Sequence, residues 1–262
     1  MFYTDLDRTI IFSNRFNKTE DAVVVEEKDG KPIGYMTKTA YEMARTLLKK
    51  GYLIPVTARS KEEVDRIQLF QEYTPEWMVC EGGARVYHNG ENVEEWEAYL
   101  LMTEQPSAVT MAQQQAFQAF TKMGMLAGAD VSRPNIHTVR VKTNNQTNKE
   151  ILHEMRMTRH IFKKLFCEMY EYERQIVLMT NAISKQKGVS FIQHQIDNDF
   201  AIVAGDSEMD HEMLSFASYS MIPAHHTIEG FKADYETKEK GMKAGEEILK
   251  ATGQKLLAHY AK

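Results

Sequence analysis

The sequence lacks the features that would tie it to a membrane, an oxidising compartment or a nucleic acid. Its only cysteines, Cys80 and Cys167, are spaced for neither a zinc motif nor a disulfide framework. No apolar run approaches the roughly 20 residues that cross a bilayer, and 32 basic against 37 acidic residues leave a net charge of −5. The first acidic pair begins at residue 5, which leaves no room for a cleavable signal peptide. We therefore expect a cytoplasmic protein whose partner is neither a membrane nor a nucleic acid.

The composition is that of a folded globular protein. With 262 residues, of which 43% are hydrophobic and 26% charged, the chain can bury a sizeable core. This length suits one large domain, or a core domain with a smaller insertion.

The first third and the last quarter of the chain alternate apolar runs with amphipathic stretches. This alternation predicts a Rossmann-like α/β core, in which helices cover a parallel sheet. The helix after the second strand begins at Ser60 with a capping box. The predicted strands are residues 2–5, 52–56, 77–80, 200–204 and 219–223, and the predicted helices are residues 39–50, 60–70, 187–196, 209–216 and 236–251.

The middle of the chain follows a different pattern, without short connections between strand and helix. Asn89 and Gly90 indicate a hairpin that starts at residue 85. We therefore assign residues 1–84 and 186–262 to the core and residues 85–185 to an inserted α+β domain. The predicted helices of the insertion are residues 107–125 and 148–170, and its predicted strands are residues 137–143 and 174–180.

Clustered acids follow two of the predicted strands. Asp5 and Asp7 are spaced i, i+2 at a strand end, so both carboxylates can face one small volume. Asp206 and Asp210 follow a later strand. One carboxylate can attack an electrophile while another moves a proton, and a divalent cation relieves their repulsion. Because ligands bind beyond the carboxyl ends of parallel strands, we expect Asp5, Thr57 and Asp206 to lie at one edge of the sheet, where the acids bind Mg²⁺.

Taken singly, these motifs have plain structural interpretations. A short acidic pair often caps a loop, and Thr57 alone is typical of a helix N-terminus. Their order, at the ends of three predicted strands, favours a catalytic site. Arg59 is interpreted as a surface residue at a helix start, with substrate contact as the alternative. His225 and His226 are interpreted as loop residues, since adjacent histidines in an extended segment point apart.

Four motifs together resemble those of the haloacid dehalogenase-like phosphohydrolases. Asp-x-Asp-x-Thr begins at Asp5, and a Thr that closes an apolar strand is found at Thr57. A Lys that opens a core helix is best matched by Lys187, and Gly-Asp-Ser-x-x-Asp begins at Gly205. The long insertion and its junction at residues 80–87 are similar to the Cof-like, sucrose-phosphatase-like and mannosyl-phosphoglycerate-phosphatase-like branch, which carries an α+β cap.

The resemblance implies a Mg²⁺-dependent phosphatase that works through an aspartyl phosphate. Asp5 is then the nucleophile and Asp7 the general acid and base. Thr57 and Lys187 hold the non-bridging phosphoryl oxygens. The implied magnesium ligands are Asp5, Asp7 through its backbone carbonyl, Asp206 and, through water or a supporting hydrogen bond, Asp210.

Three positions leave a choice open or depart from the family pattern. Lys185 competes with Lys187 for the phosphate, and Lys187 is preferred because Gly188 permits close backbone approach. Arg8 stands where Gly is common in the family, and Met209 stands where Asn often precedes the last Asp.

The expected substrate is a small phosphomonoester such as a sugar phosphate, and a specificity loop is expected between residues 128 and 143. A phosphomutase of the same fold is an alternative, disfavoured because the fourth motif is short. A non-catalytic phosphate-binding relative is a further alternative. Neither the individual substrate nor the oligomeric state follows from the residues.

Overall fold

The chain folds into two units in the computed structural model. The model describes residues 1–103, 106–127, 129–142, 153, 157, 159, 162–164, 166–172 and 175–261. Unit 1 comprises Met1–Val93 and Ser184–Lys262, and unit 2 comprises Glu94–Ile183. Within the described ranges, no helix combines the length and apolar character needed to span a membrane.

The described helices and strands are numbered in chain order. They are β1 (Phe2–Thr4), β2 (Phe12–Ser13), β3 (Ala22–Lys28), β4 (Lys31–Thr37), α1 (Lys38–Lys49), β5 (Leu53–Pro55), α2 (Lys61–Asp65), α3 (Gln68–Glu72), β6 (Trp77–Cys80), β7 (Arg85–His88), β8 (Glu91–Asn92), α4 (Glu94–Thr103), α5 (Pro106–Ala127), β9 (Asp130–Asn135), β10 (Thr138–Lys142), β11 (Cys167–Tyr172), β12 (Gln175–Thr180), α6 (Lys185–Ile196), β13 (Ile202–Ala204), α7 (His211–Phe216), β14 (Tyr219–Ile222), β15 (Tyr235–Glu236) and α8 (Met242–Tyr260).

A parallel sheet forms the centre of unit 1, with the strand order β15–β14–β13–β1–β5. Phe2 of β1 pairs with Ile202 on one side and with Leu53 on the other. Every residue of β1, β5 and β13 is buried, as expected for strands of a parallel sheet with both faces covered. The predicted parallel α/β core is confirmed.

The sheet continues into an antiparallel hairpin through a single parallel bridge between Val56 and Val79. β6 then pairs with β7. β7 also pairs with β8, and the turn at Asn89 and Gly90 connects these two strands. The hairpin predicted from these two residues is confirmed. It belongs to unit 1, whereas the predicted insertion begins at residue 85.

Pairing between distant segments produces two features that differ from the sequence expectations. The capping box at Ser60 is present, but α2 ends at Asp65 and α3 starts only at Gln68. Between them Ile67 is extended and forms an antiparallel bridge with Glu26. Glu26 lies in the hairpin β3–β4, for which no strand is predicted. The single helix predicted over residues 60–70 is therefore wrong.

The end of the chain also differs from its prediction, which starts a helix at residue 236. Tyr235 instead pairs with Met221 at the edge of the parallel sheet. The helix α8 begins at Met242, after Gly241 with a φ of 60°. A residue with a positive φ cannot belong to a right-handed helix, so Gly241 sets the start of α8.

Unit 2 is built around an antiparallel sheet with the order β11–β12–β10–β9. Phe120 of α5, Val139 of β10 and Ile176 of β12 share its apolar core. The predicted strands at residues 137–143 and 174–180 are confirmed as β10 and β12 within the described residues.

Two other predictions for unit 2, a helix and a specificity loop, are partly wrong or lie partly outside the described residues. Most of the helix predicted over residues 148–170 lies outside the described residues, and its last part is wrong because Cys167–Tyr172 is a strand. Of the expected specificity loop, residues 128 and 143 lie outside the described residues. Asp130–Asn135 and Thr138–Lys142 are paired strands.

We expect Gly83→Ala to destabilise the protein strongly. Gly83 has a φ of 108°, and a Cβ there would lie 2.2 Å from the carbonyl oxygen of Ser184. Gly30→Ala is the matched control, because Gly30 has a φ of 70° but no atom within 4 Å of its ideal Cβ. Chemical denaturation should show a loss of about 1 kcal/mol for Gly30→Ala and about 3 kcal/mol or more for Gly83→Ala. Equal losses would show that the contact with Ser184 is unimportant.

Candidate active site

Three neighbouring strands deliver polar residues to one edge of the parallel sheet. Asp5 follows β1, and its backbone N–H donates to the carbonyl oxygen of Ala204 at 2.9 Å. Thr57 follows β5 and Asp206 follows β13, the two strands that flank β1. Segments far apart in the sequence therefore meet at the carboxyl ends of adjacent strands.

Three carboxylates form the centre of this site. One oxygen atom from each of Asp5, Asp206 and Asp210 lies within 4.8 Å of the other two. The exposed fractions of these residues are 6%, 4% and 0%. Three carboxylates this close and this buried repel one another unless cations compensate their charge.

Lys185 supplies part of that compensation. Its ammonium Nζ donates to Asp5 Oδ1 and to Asp210 Oδ1, at 2.6 Å in each case, and its side chain is 2% exposed. The other oxygen of Asp5, Oδ2, accepts a hydrogen bond from the Thr9 hydroxyl at 3.2 Å. Both oxygens of Asp5 are thus held by defined donors.

The structure brings Lys185, rather than the preferred Lys187, to the carboxylates. Lys185 shares the buried face of α6 with Gly188 and Val189, the residues three and four positions later. Lys187 lies about 200° around the helix from Lys185. A Cβ on Gly188 would lie 2.7 Å from Val79 Cγ1, so this glycine permits packing of α6 against β6. Gly188 therefore does not favour Lys187 over Lys185, and which of the two lysines binds phosphate stays a prediction.

Asp210 organises the turn that carries Asp206. Its Oδ2 accepts hydrogen bonds from the backbone N–H groups of Asp206 and Ser207, both at 3.0 Å, and from the Ser207 hydroxyl at 2.9 Å. A Cβ on Gly205 would lie 2.4 Å from Asp210 Cβ, so glycine is required for this close approach. Met209 is buried.

Arg8 contributes a second positive charge at the site. Its Nε lies 2.9 Å from Asp206 Oδ2, although its φ of 63° is a conformation that favours glycine. The ring Nε2 of His225 lies 2.8 Å from the carbonyl oxygen of Arg8, and His225 Nδ1 accepts from the Gly241 backbone N–H at 3.3 Å. His225 therefore supports the backbone of the acidic loop.

Asp7 is held on the outer side of the site by Arg59. Arg59 Nε donates to Asp7 Oδ2 and Nη2 donates to Asp7 Oδ1, both at 2.7 Å. The third nitrogen of the guanidinium, Nη1, donates to Glu26 Oε2 at 2.7 Å. Interpreting Arg59 as a surface residue is thus wrong, since its side chain is only 14% exposed.

Thr57 is fully buried where β5 ends. Its hydroxyl oxygen accepts from the backbone N–H of Arg59 at 3.1 Å, and its own backbone N–H donates to the carbonyl oxygen of Val79 at 2.8 Å. Its carbonyl oxygen accepts from the N–H of Gly82 at 2.9 Å. These bonds fix the chain that leads to Arg59.

The carboxylates differ in proton affinity. Burial raises the pKa of Asp5 to about 7 against the opposing charge of Lys185, and Asp210 adds to the rise. Burial and the charge of Asp5 raise the pKa of Asp206, although Arg8 opposes the shift. Desolvation also acts to raise the pKa of Asp7, but Arg59 outweighs it and the pKa falls below its usual value.

The three buried carboxylates fit a divalent cation. Asp5, Asp206 and Asp210 provide the hard oxygen ligands that Mg²⁺ prefers. When all three are ionised, their negative charge exceeds by one the positive charge of the two neighbouring cations, Lys185 and Arg8. Among the described residues Asp7 is not a member of this group.

Comparisons with known proteins place the chain among relatives. The family model of sucrose-6F-phosphate phosphohydrolase matches residues 1–256. The sucrose-phosphatase of Synechocystis sp. PCC6803, solved with sucrose and phosphate, has a TM-score of 0.64 at 16% identity over 99% of this chain and 97% of that chain. The C-terminal domain of C. albicans trehalose-6-phosphate phosphatase has a TM-score of 0.62 at 12% identity, over 95% of this chain and 90% of that chain.

A haloacid dehalogenase-like hydrolase from Bacteroides thetaiotaomicron has a TM-score of 0.54 at 13% identity over 94% of this chain and 98% of that chain. None of the proteins with curated functions matches the sequence. The structural likenesses confirm the predicted haloacid dehalogenase-like fold. Because the family model spans nearly all of the sequence, the chain belongs to the sucrose-6F-phosphate phosphohydrolase family, a group of haloacid dehalogenase-like phosphoric monoester hydrolases.

Proposed function

We propose that this protein is a Mg²⁺-dependent phosphatase that hydrolyses a small sugar phosphate through an aspartyl phosphate on Asp5. One observation carries the proposal. The carboxylates of Asp5, Asp206 and Asp210 lie within 4.8 Å of one another, and the Lys185 ammonium bridges two of them. A phosphate dianion can approach a carboxylate only where cations screen the repulsion, and this site concentrates them.

In the first step Asp5 attacks phosphorus and forms the aspartyl phosphate. The bond from phosphorus to the ester oxygen breaks, and Asp7 gives that oxygen a proton as the alcohol leaves. Lys185, already 2.6 Å from Asp5 Oδ1, is placed to hold a non-bridging phosphoryl oxygen. We assign the phosphate-binding role to Lys185 together with Thr57.

In the second step a water molecule attacks the phosphorus of the aspartyl phosphate. Asp7, now ionised, takes a proton from this water, the bond to Asp5 breaks and inorganic phosphate is released. The lowered pKa of Asp7 favours the ionised form that this second step needs and disfavours the protonated form that the first step needs.

Asp5, Asp206 and Asp210 would hold Mg²⁺, with the backbone carbonyl of Asp7 as a further ligand. When bound, the ion would neutralise carboxylate charge and polarise the phosphoryl oxygens. Both oxygens of Asp210 already accept hydrogen bonds, Oδ1 from Lys185 and Oδ2 from three donors, so Asp210 would support the ion through water or a hydrogen bond.

The family and the similar structures support sugar phosphates as the substrate class. The matched family is named for a sucrose phosphate, and a similar solved protein is named for trehalose 6-phosphate. We therefore place the substrate among sugar phosphates, of which sucrose and trehalose phosphates are the first to test.

We expect Asp5→Asn to abolish turnover, because the amide cannot act as the nucleophile. Phosphate release from a panel of hexose, sucrose and trehalose phosphates should fall by at least about 10³-fold. The wild-type protein in EDTA should be similarly inactive and should recover when Mg²⁺ is restored. Turnover that survives the substitution would remove Asp5 from the mechanism.

We expect Lys185→Met to lower kcat by about 10²–10³-fold, whereas Lys187→Met stays within about threefold of the wild type. Removing the Lys185 ammonium leaves Asp5 and Asp210 unpaired, at a cost of about 3–5 kcal/mol in stability. Phosphate release should therefore be normalised to folded protein, measured by circular dichroism. A larger loss for Lys187→Met would return the phosphate-binding role to Lys187.

We expect Mg²⁺ to raise the melting temperature of the wild-type protein, because an ion that binds only the folded state stabilises it. Asp206→Asn removes one of the three carboxylates and should abolish most of this rise. Asp234→Asn is the control, since Asp234 accepts from Ser220 and is not a member of the carboxylate group. Equal shifts in both variants would place the ion elsewhere.

A further inference from the structure

Arg59 has a geometry that a single ion pair does not require. Its three guanidinium nitrogens each donate at 2.7 Å, two to Asp7 and one to Glu26. The planar fork of arginine matches both oxygens of a carboxylate at once and fixes its orientation. One side chain therefore joins the proposed general acid to a second carboxylate.

That second carboxylate is buried and has its own support. Glu26 is 2% exposed, and its other oxygen, Oε1, lies 3.3 Å from Nη2 of Arg66. Burying a carboxylate is costly unless cations pair with it, and here two guanidiniums do so. A Cβ on Gly34 would lie 2.9 Å from Glu26 Cβ, so glycine makes room for this side chain.

The backbone fixes both ends of this connection. The N–H of Arg59 donates to the Thr57 hydroxyl at 3.1 Å, and its carbonyl oxygen accepts from the N–H of Glu81 at 2.9 Å. Glu26 is held by its bridge with Ile67. Arg59 and Glu26 therefore form a rigid support.

Asp7, in contrast, needs such a support. It is 56% exposed, and the next residue, Arg8, has a left-handed backbone. An exposed side chain loses rotational entropy when it is fixed, and a proton donor must stay within hydrogen-bond reach of the leaving oxygen. A bidentate partner restricts its carboxylate to one orientation.

We propose that Arg59, anchored by Glu26, is the positioning residue that holds Asp7 for proton transfer to the leaving group. This inference rests on the proposed function, because Asp7 is the general acid only if the protein is a phosphatase. It assigns Arg59 a role through Asp7 and Glu26 a role through Arg59, without contact between either residue and the reacting atoms.

The test compares two phosphate esters that differ in their need for a proton. A sugar leaves as a strongly basic alkoxide unless Asp7 protonates it, whereas nitrophenolate leaves from 4-nitrophenyl phosphate without a proton. The measured quantity is kcat/KM, which reports the reaction up to departure of the leaving group. For Arg59→Ala we expect about a 10²-fold loss on the best sugar phosphate of the panel and at most about a threefold loss on 4-nitrophenyl phosphate.

Three further variants separate position from charge and from folding. Arg59→Lys keeps the charge but cannot donate two parallel hydrogen bonds to Asp7. Its kcat/KM should therefore also fall on the sugar phosphate and not on 4-nitrophenyl phosphate. Glu26→Gln should show a smaller selective loss, of about tenfold. Lys61→Ala is the matched control, since it removes a cation that pairs with Asp65 rather than with Glu26, and it should leave the ratio between the two esters unchanged.

Each outcome decides the matter. A selective loss on the sugar phosphate in Arg59→Ala and Arg59→Lys supports the inference. Equal losses on both esters, or no loss, overturn it while the phosphatase function stands. If Arg59→Ala does not fold, Arg59→Lys and Glu26→Gln give the same comparison. A wild-type protein that turns over neither ester overturns the proposed function, and the inference with it.

Discussion

The contact on which the site depends is the Lys185 ammonium between Asp5 and Asp210. Two buried carboxylates cannot stay close in a medium of low polarity without a cation between them, and removing that cation would leave both charges unpaired. The position of the ammonium is itself a consequence of packing. The glycine Gly188 lets α6 lie against Val79, and Gly83 lets the chain pass the carbonyl of Ser184 at the start of α6. Two glycines without chemistry of their own thus determine where the charge lies.

Sheet order explains how acids from distant parts of the sequence meet. β1 is flanked by β5 and β13, so the residues that follow these three strands share one edge. A shift of one residue in either pairing would turn the side chains of a strand to its opposite face. The register that pairs Thr4 with Ala204 therefore matters as much to the site as the acids themselves. The same edge receives Arg59, through the bonds that hold Thr57 to Val79.

The strands of the parallel sheet and the acids after them could be predicted from sequence, because both are local patterns: an apolar run, then a break into Asp. The inward position of Lys185 could have been predicted as well. Apolar residues of α6 recur at i+3, i+4 and i+7 from Lys185 and mark the buried face of the helix. The contact of Glu26 with Arg59 could not be predicted, because their meeting depends on the bridge between Glu26 and Ile67, which breaks a helix that the capping box favours. Local propensity gave one helix there, and tertiary pairing made two.

The two catalytic carboxylates differ in burial, and this difference matches their proposed tasks, nucleophilic attack by Asp5 and proton transfer by Asp7. The nucleophile Asp5 lies among buried partners, where little water solvates its charge, and the Lys185 ammonium and the Thr9 hydroxyl replace that solvation. Asp7 lies further out, where a proton can be exchanged with water between the two steps, and orientation rather than burial is what it lacks. A cation that only neutralised Asp7 would not supply that orientation, whereas the fork of Arg59 does. The left-handed Arg8, which follows Asp7, costs about 1 kcal/mol in backbone strain, and its ion pair with Asp206 helps to offset this cost. Two acids only two residues apart thus face different cations, Asp5 the ammonium of Lys185 and Asp7 the guanidinium of Arg59.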